Sequence, residues 1–152
     1  MKKLVLIGTF IIAVLSLSAQ SEADIWELAK SDLRTEYKGI IIESLNFSDE
    51  EATVFWPIFN DFFEQKAALL DEDLALMKDY SDNYANLDDA KIKYLVVKAS
   101  DIDEKRLKLR KSYYKKISKV LPARKAGKLY QIDNQVSILL DFQIISQVPI
   151  IE

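Results

Sequence analysis

The chain has 152 residues, 49% hydrophobic and 30% charged, with net charge −3, 3 Gly, 3 Pro, no Cys and no His. Without Cys or His there is no disulfide framework, no thiolate nucleophile, no zinc knuckle and no iron–sulfur cluster, and the commonest general base is missing. The chain is too hydrophobic for disorder and too poor in Gly for phosphate-cradling loops, so it reads as one all-α domain of long helices.

Lys2 and Lys3 precede an apolar run of 14 residues, Leu4–Leu17, and the small-residue boundary Ser18-Ala19-Gln20. This is the pattern of a secretory signal peptide over residues 1–19, cleaved after Ala19. The run is shorter than the ~20 apolar residues of a spanning helix. No Cys follows it to carry a lipid, so an uncleaved signal segment is the only membrane attachment expected. The mature chain, residues 20–152, has 133 residues and net charge −5 once both lysines are removed. Export places it in the periplasm.

Helix one is predicted over about Ala23–Leu45, from Ile25, Leu28, Ala29, Leu33, Tyr37, Ile40 and Ile41 at helical spacing. Ser48, with Glu51 three residues on, is the pattern of a capping box opening helix two. Asp49, Glu50 and Glu51 in its first turn suit the helix dipole. Helix two is predicted over Asp49–Tyr80, with Pro57 inside it and a bend expected there. Ser81–Leu87 is polar and reads as a loop. Asp88 is the expected N-cap of helix three, which runs to about Lys119. Along it Ile92, Leu95, Ala99, Ile102, Arg106, Leu109, Tyr113 and Val120 keep a heptad seam, broken only at Lys116. Pro122 is expected as the first residue of helix four, which runs to about Ile145. Pro149 ends regular structure within a short apolar tail, Val148–Ile151.

Two patterns stand out. On helix two, Phe55, Trp56, Phe59, Phe62 and Phe63 fall within an arc of about 120°, widened to about 200° by Val54 and Ile58, where a core-facing helix needs about 100°. Most of this arc reads as core. The surplus points to a partner, with Trp56, Phe59 and Phe63 as the candidate contacts. Charge is also segregated. Residues 43–89 hold 13 acids and 2 bases, and residues 105–128 hold 11 bases and no acid. An antiparallel hairpin of helices two and three then has an acidic turn end and a basic opposite end. Two such hairpins, head to tail, match opposite poles and share the heptad seam, which predicts an antiparallel homodimer. Arg106, Arg110, Lys111 and Lys115 are the candidate steering residues for an acidic partner. No nucleic-acid recognition motif accompanies the basic block.

Catalysis is not expected. The acid clusters Asp88-Asp89 and Asp71-Glu72-Asp73 sit at solvated helix ends, without the pocket that paired-acid chemistry needs. No EF-hand spacing is present, and neither cofactor nor metal is expected.

Leu45-x-Phe47-Ser48-x-x-Glu51 resembles the first LTxxQ motif of the small periplasmic Spy/CpxP proteins, with Ser for Thr and Glu for Gln. Leu121-Pro122-x-x-Lys125 resembles the second, with Pro for Thr and Lys for Gln. The likeness covers about Asp24–Ile145. Phe55-Trp56-Pro57-Ile58-Phe59-Asn60 and Leu129-Tyr130-Gln131-Ile132 resemble a branch described as sensors of extracytoplasmic-function sigma factors. The resemblance implies a bent, cradle-shaped antiparallel dimer of helical hairpins in the periplasm. It implies ATP-independent binding of unfolded proteins, or stress sensing through an envelope partner such as an anti-sigma factor or sensor kinase. Some relatives bind metal through His, which this chain lacks. The motif residues Leu45, Phe47, Ser48, Glu51, Pro57, Leu121 and Pro122 read as structural: a cap, a bend and their packing.

Overall fold

The computed structural model describes residues 19–146 and 148–151. The expected signal peptide lies, up to residue 18, outside the described residues. Four α-helices follow in order: α1 (Ala19–Ser44), α2 (Asp49–Asn83), α3 (Asp89–Ile117) and α4 (Ala123–Ile145), with a 3₁₀ turn, Tyr84–Asn86, between α2 and α3. No strand occurs among the described residues. The fold is all-α, as the composition and periodicity require.

Local chemistry sets most of the boundaries. Asp49, Glu50 and Glu51 fill the first turn of α2, where carboxylates meet the positive end of the helix dipole, and Ser48 stands immediately before it. Pro57 is exposed within α2, and the helix runs on through it. Asp88 caps α3 by accepting from the Lys91 backbone N–H at 2.7 Å. Lys115 and Lys116 occupy the last turn of α3, at the negative end of its dipole. The Pro122 carbonyl accepts from the Ala126 N–H at 3.0 Å, so Pro122 lies one residue before the first turn of α4, not within it.

Two expectations need correction. α1 starts at Ala19, four residues before the expected Ala23. The expected loop over Ser81–Leu87 is mostly helical: α2 continues to Asn83 and passes into the 3₁₀ turn. The Asn83 side-chain amide donates to the Asp79 carbonyl at 2.7 Å and to Asp79 Oδ1 at 3.0 Å. This side-chain bond shares the Asp79 carbonyl at the point where α2 gives way to the 3₁₀ turn.

The chain divides into two compact units. The first comprises α1 and α4 from Gly127 onward. Its buried residues are Ala29, Tyr37, Ile41 and Leu45 from α1 and the segment after it, and Leu129, Ile132, Val136, Leu140 and Ile144 from α4. Their spacings of three, four and eight give each helix one apolar face. Within this core Tyr37 Oη donates to Asp133 Oδ1 at 3.1 Å, across 96 positions of sequence. Lys128 Nζ donates to the Ser44 carbonyl at 2.6 Å, bringing a cation to the end of α1, whose own last turn holds no base.

The second unit is the α2–α3 hairpin with the start of α4 and the tail after residue 147. Phe62 stacks on Tyr113 with ring centroids 3.9 Å apart and planes 11° from parallel. Asp61 pairs with Lys116, Glu72 with Lys105 and Asp73 with Arg106. These partners, with Phe62 and Tyr113, have residue numbers that add to between 175 and 179, the signature of one antiparallel register. Most of the seam of α3 faces α2: Leu95, Ile102 and Tyr113 are buried and Ile92, Arg106 and Leu109 half-buried, whereas Ala99 and Val120, also expected on it, are exposed. The expectation that two hairpins share this seam is therefore corrected: it is used within one chain.

Candidate protein-binding site

The aromatic arc of α2 is deeper than its sequence suggested. Phe55, Phe59, Phe62 and Phe63 are buried, so Phe59 and Phe63, expected at the surface, are not available to a partner in this state. The width of the arc does not say which of its residues form the surplus: Phe55, Phe59 and Phe63 are buried, and neighbouring rings along α2 meet in tilted pairs. Phe55 and Phe59 centroids are 6.0 Å apart, as are those of Phe59 and Phe63. Trp56 is half-buried at the edge, meeting Phe55 and Phe59 edge-on at 5.0 and 5.6 Å. It lines a shallow surface depression with Asp49, Ala52, Thr53, Pro57 and Asn60. Val54 is exposed and Ile58 half-buried, so the arc retains an accessible rim.

The segregated charges meet each other across the hairpin. Lys105 Nζ reaches Glu72 at 2.5 Å, Arg106 reaches Asp73, Lys116 reaches Asp61 at 2.7 Å and Lys91 reaches Asp79 at 2.6 Å. Lys116, with help from Gln65, holds the Asp61 carboxyl below its ordinary range. Within α3, Lys108 reaches Glu104 at 2.8 Å and holds its carboxyl low in the same way. Arg106, a candidate steering residue, is thus half-buried and engaged with Asp73 and also with Asp103. Arg110 is half-buried as well. Sequence counts could show the two charge blocks but not that residue 61 lies beside residue 116.

Pairing reduces the polarity without abolishing it. Residues 49–72 carry seven acids and one base beside ten bases over 105–126, a net +4, while residues 73–104 carry eight acids and four bases, a net −4. The hairpin keeps a basic open end and an acidic tip.

Lys111 and Lys115 are exposed on α3, within a stretch that holds no acid between Lys105 and Lys128. The structure adds apolar residues that the sequence reading did not single out. Val96, Leu107 and Tyr114 are 56%, 46% and 40% exposed. Their spacings of 11 and 7 keep them on one side of the helix, flanking the seam. Lys111 follows Leu107 by four, and Tyr114 and Lys115 follow Lys111 by three and four, so apolar and cationic groups mix on one strip. The spacing is legible in the sequence, but the heptad seam lies beside it and has the stronger pattern.

Trp56 does not join this strip. The depression it lines contains no residue of α3. The candidate contacts therefore form two separate patches, an aromatic one on α2 and an apolar–cationic one on α3.

Among the motif residues, Leu45 and Leu121 are buried, Phe47 is half-buried, and Ser48, Pro57 and Pro122 are exposed. Glu51 and Lys125, the fourth positions of the two motif-like segments counted from Ser48 and Pro122, form an ion pair with each other, both mostly buried. The two departures from Gln are complementary in charge and meet. No family model, no curated protein and no solved structure matches the chain.

Proposed function

We propose that this protein is a periplasmic, Spy/CpxP-like stress protein that binds non-native or partner proteins without ATP, cofactor or metal. The observation that carries the reading is the mixed strip on the outer side of α3, where Leu107 and Tyr114 sit beside Lys111 and Lys115. Exposed apolar groups attract unfolded chains, and flanking lysines raise the encounter rate with acidic ones. The Glu51–Lys125 pair supports the family resemblance, since it ties the two motif-like segments together. Trp56 supplies a second contact.

Association as an antiparallel homodimer belongs to the same proposal. Opposite net charges of 4 at the two ends of the hairpin favour a head-to-tail neighbour. With the α3 seam occupied, the contact falls on outer faces. Light scattering of the mature chain at low and high salt tests this; a monomer in both conditions removes the dimer.

The direct test of binding is suppression of aggregation of an unfolding test protein by the mature chain without nucleotide. Suppression at a several-fold excess is expected, weakened by Leu107→Glu with Tyr114→Glu. No suppression at that excess ends the chaperone reading.

A second reading is a regulatory module acting on one envelope partner, such as an anti-sigma factor or a sensor kinase. The burial of Phe59 and Phe63 favours it, because it leaves little continuous apolar surface for unselective binding. It predicts saturable capture of a single protein from envelope extract and indifference to unfolded chains.

A further inference from the structure

The tip of the hairpin carries a site of different construction. Tyr80, near the end of α2, donates its hydroxyl to the Pro149 carbonyl at 2.7 Å. Tyr84, which opens the 3₁₀ turn, donates to the Ile150 carbonyl at 2.9 Å. The two rings meet edge-on, with centroids 5.4 Å apart and planes at 83°. Their chain neighbours are locked in place. Asp79 takes Lys91 Nζ on both carboxylate oxygens, at 2.6 and 2.7 Å, and also holds Asn83. The two hydroxyls are therefore presented at a fixed separation by a braced helix end. Desolvation, with Tyr84 adding to it, pushes the Tyr80 phenol above its ordinary range, so it stays a donor.

Both bonds go to main-chain carbonyls. The two residues whose carbonyls are bound offer little through their side chains, for Ile150 is 87% exposed and Pro149 is exposed, while Val148 is half-buried. The tip thus reads two consecutive main-chain carbonyls and not a side-chain code. Each such bond shifts a docked-to-free ratio roughly five-fold, and two together about thirty-fold. That is enough to seat a tethered tail and too little to make it permanent.

We infer that the Tyr80–Tyr84 pair is a binding site for the main-chain carbonyls of a non-native peptide segment, and that residues 148–151 of the chain are its resident, exchangeable occupant. The inference rests on the reading of the protein as a binder of non-native chains and names one of its contact points. A guest must first displace the tail, so the tail sets a threshold for binding. The acidic residues near the tip, Asp79, Asp82, Asp88 and Asp89, disfavour acidic guests.

The test uses the full chain, whose lack of native Cys permits a single label at Ile151→Cys. Fluorescence anisotropy of that label reports whether the tail is docked. Adding excess unlabelled peptide of residues 146–152 is expected to lower the anisotropy. Tyr80→Phe with Tyr84→Phe is expected to lower it to the same level without peptide, as the docked-to-free ratio falls about thirty-fold. Circular dichroism confirms that the double variant keeps its helices. Anisotropy unmoved by either treatment overturns the site, whatever the aggregation assay shows. If the label responds but the double variant suppresses aggregation as well as the parent, the tip is not where guests bind, and the proposed function stands without it.

Discussion

The two compact units both bury apolar side chains, and they differ in how their polar groups are used. In the α1–α4 unit, nine residues bury apolar side chains or rings, and the one buried charged residue among those described, Asp133, is met by the Tyr37 hydroxyl. In the hairpin unit twelve residues bury apolar side chains or rings, the Phe62–Tyr113 stack among them, and four cross-helix ion pairs run beside them, two of them well exposed. The difference teaches what segregated charge is for. Surface ion pairs contribute little to stability, typically about 0–1 kcal/mol each. They do select a register, because a shift of one turn leaves Asp61 opposite Ser112 or Val120 and Lys116 opposite Pro57 or Gln65, with no ion pair for either. Apolar burial supplies the free energy, and charge chooses among the ways to bury.

The sharpest way to break the comparison is to remove the hairpin's stack. Phe62→Ala leaves Tyr113 without its ring partner and is expected to cost about 3–5 kcal/mol in denaturant unfolding. A loss below about 1 kcal/mol would show that the ion pairs matter more than supposed. In the other unit, Tyr37→Phe removes the hydroxyl that meets buried Asp133 and is expected to cost about 1–3 kcal/mol. A neutral result there would show that Asp133 is satisfied without Tyr37.

Glu72→Gln and Asp73→Asn are expected to cost less, about 0.2–1 kcal/mol each, with Asp73 the larger because its pair with Arg106 is less exposed. Both losses should shrink at 1 M salt, where screening acts within about 3 Å, while the Tyr37→Phe loss persists.

The smallest effect concerns pH. The Asp61 and Glu104 carboxyls lie below their ordinary values of 3.8 and 4.5, held there by Lys116 and Lys108. A lowered folded-state value means that the unfolded chain binds the proton first. The contribution is full above those ordinary values and is lost as pH falls through the lowered ones. Hairpin stability should be level above about pH 5 and decline in stronger acid, and Asp61→Asn should shallow that decline in an acid titration followed by circular dichroism.

Much of the fold was legible in sequence because its signals are local. Asp88 announces a cap, and Pro122 a break. What was missed is long-range. Nothing near Ser81 reveals that Asn83 bonds back to Asp79, or that Tyr80 and Tyr84 meet a tail some 66–69 positions away. The candidate site divided along the same line. Lys111 and Lys115 lie where a run without acids suggested, at the surface. Phe59 and Phe63 do not, because a helical wheel gives the width of an apolar sector but not how much of it the fold covers. The charge blocks were visible, and their use inside one chain was not, because pairing residue 61 with residue 116 needs the register.

That register is the claim on which the rest depends. Gln65 and Ser112 line one groove between α2 and α3, and the chain has no native Cys to interfere. The decisive measurement is to install Gln65→Cys with Ser112→Cys, treat the full chain with a short bis-maleimide, and read mass and gel mobility. A cross-link within single chains is the expected result. Cross-linking only between chains would mean that the acidic and basic blocks meet across a dimer, and the hairpin described here would be wrong.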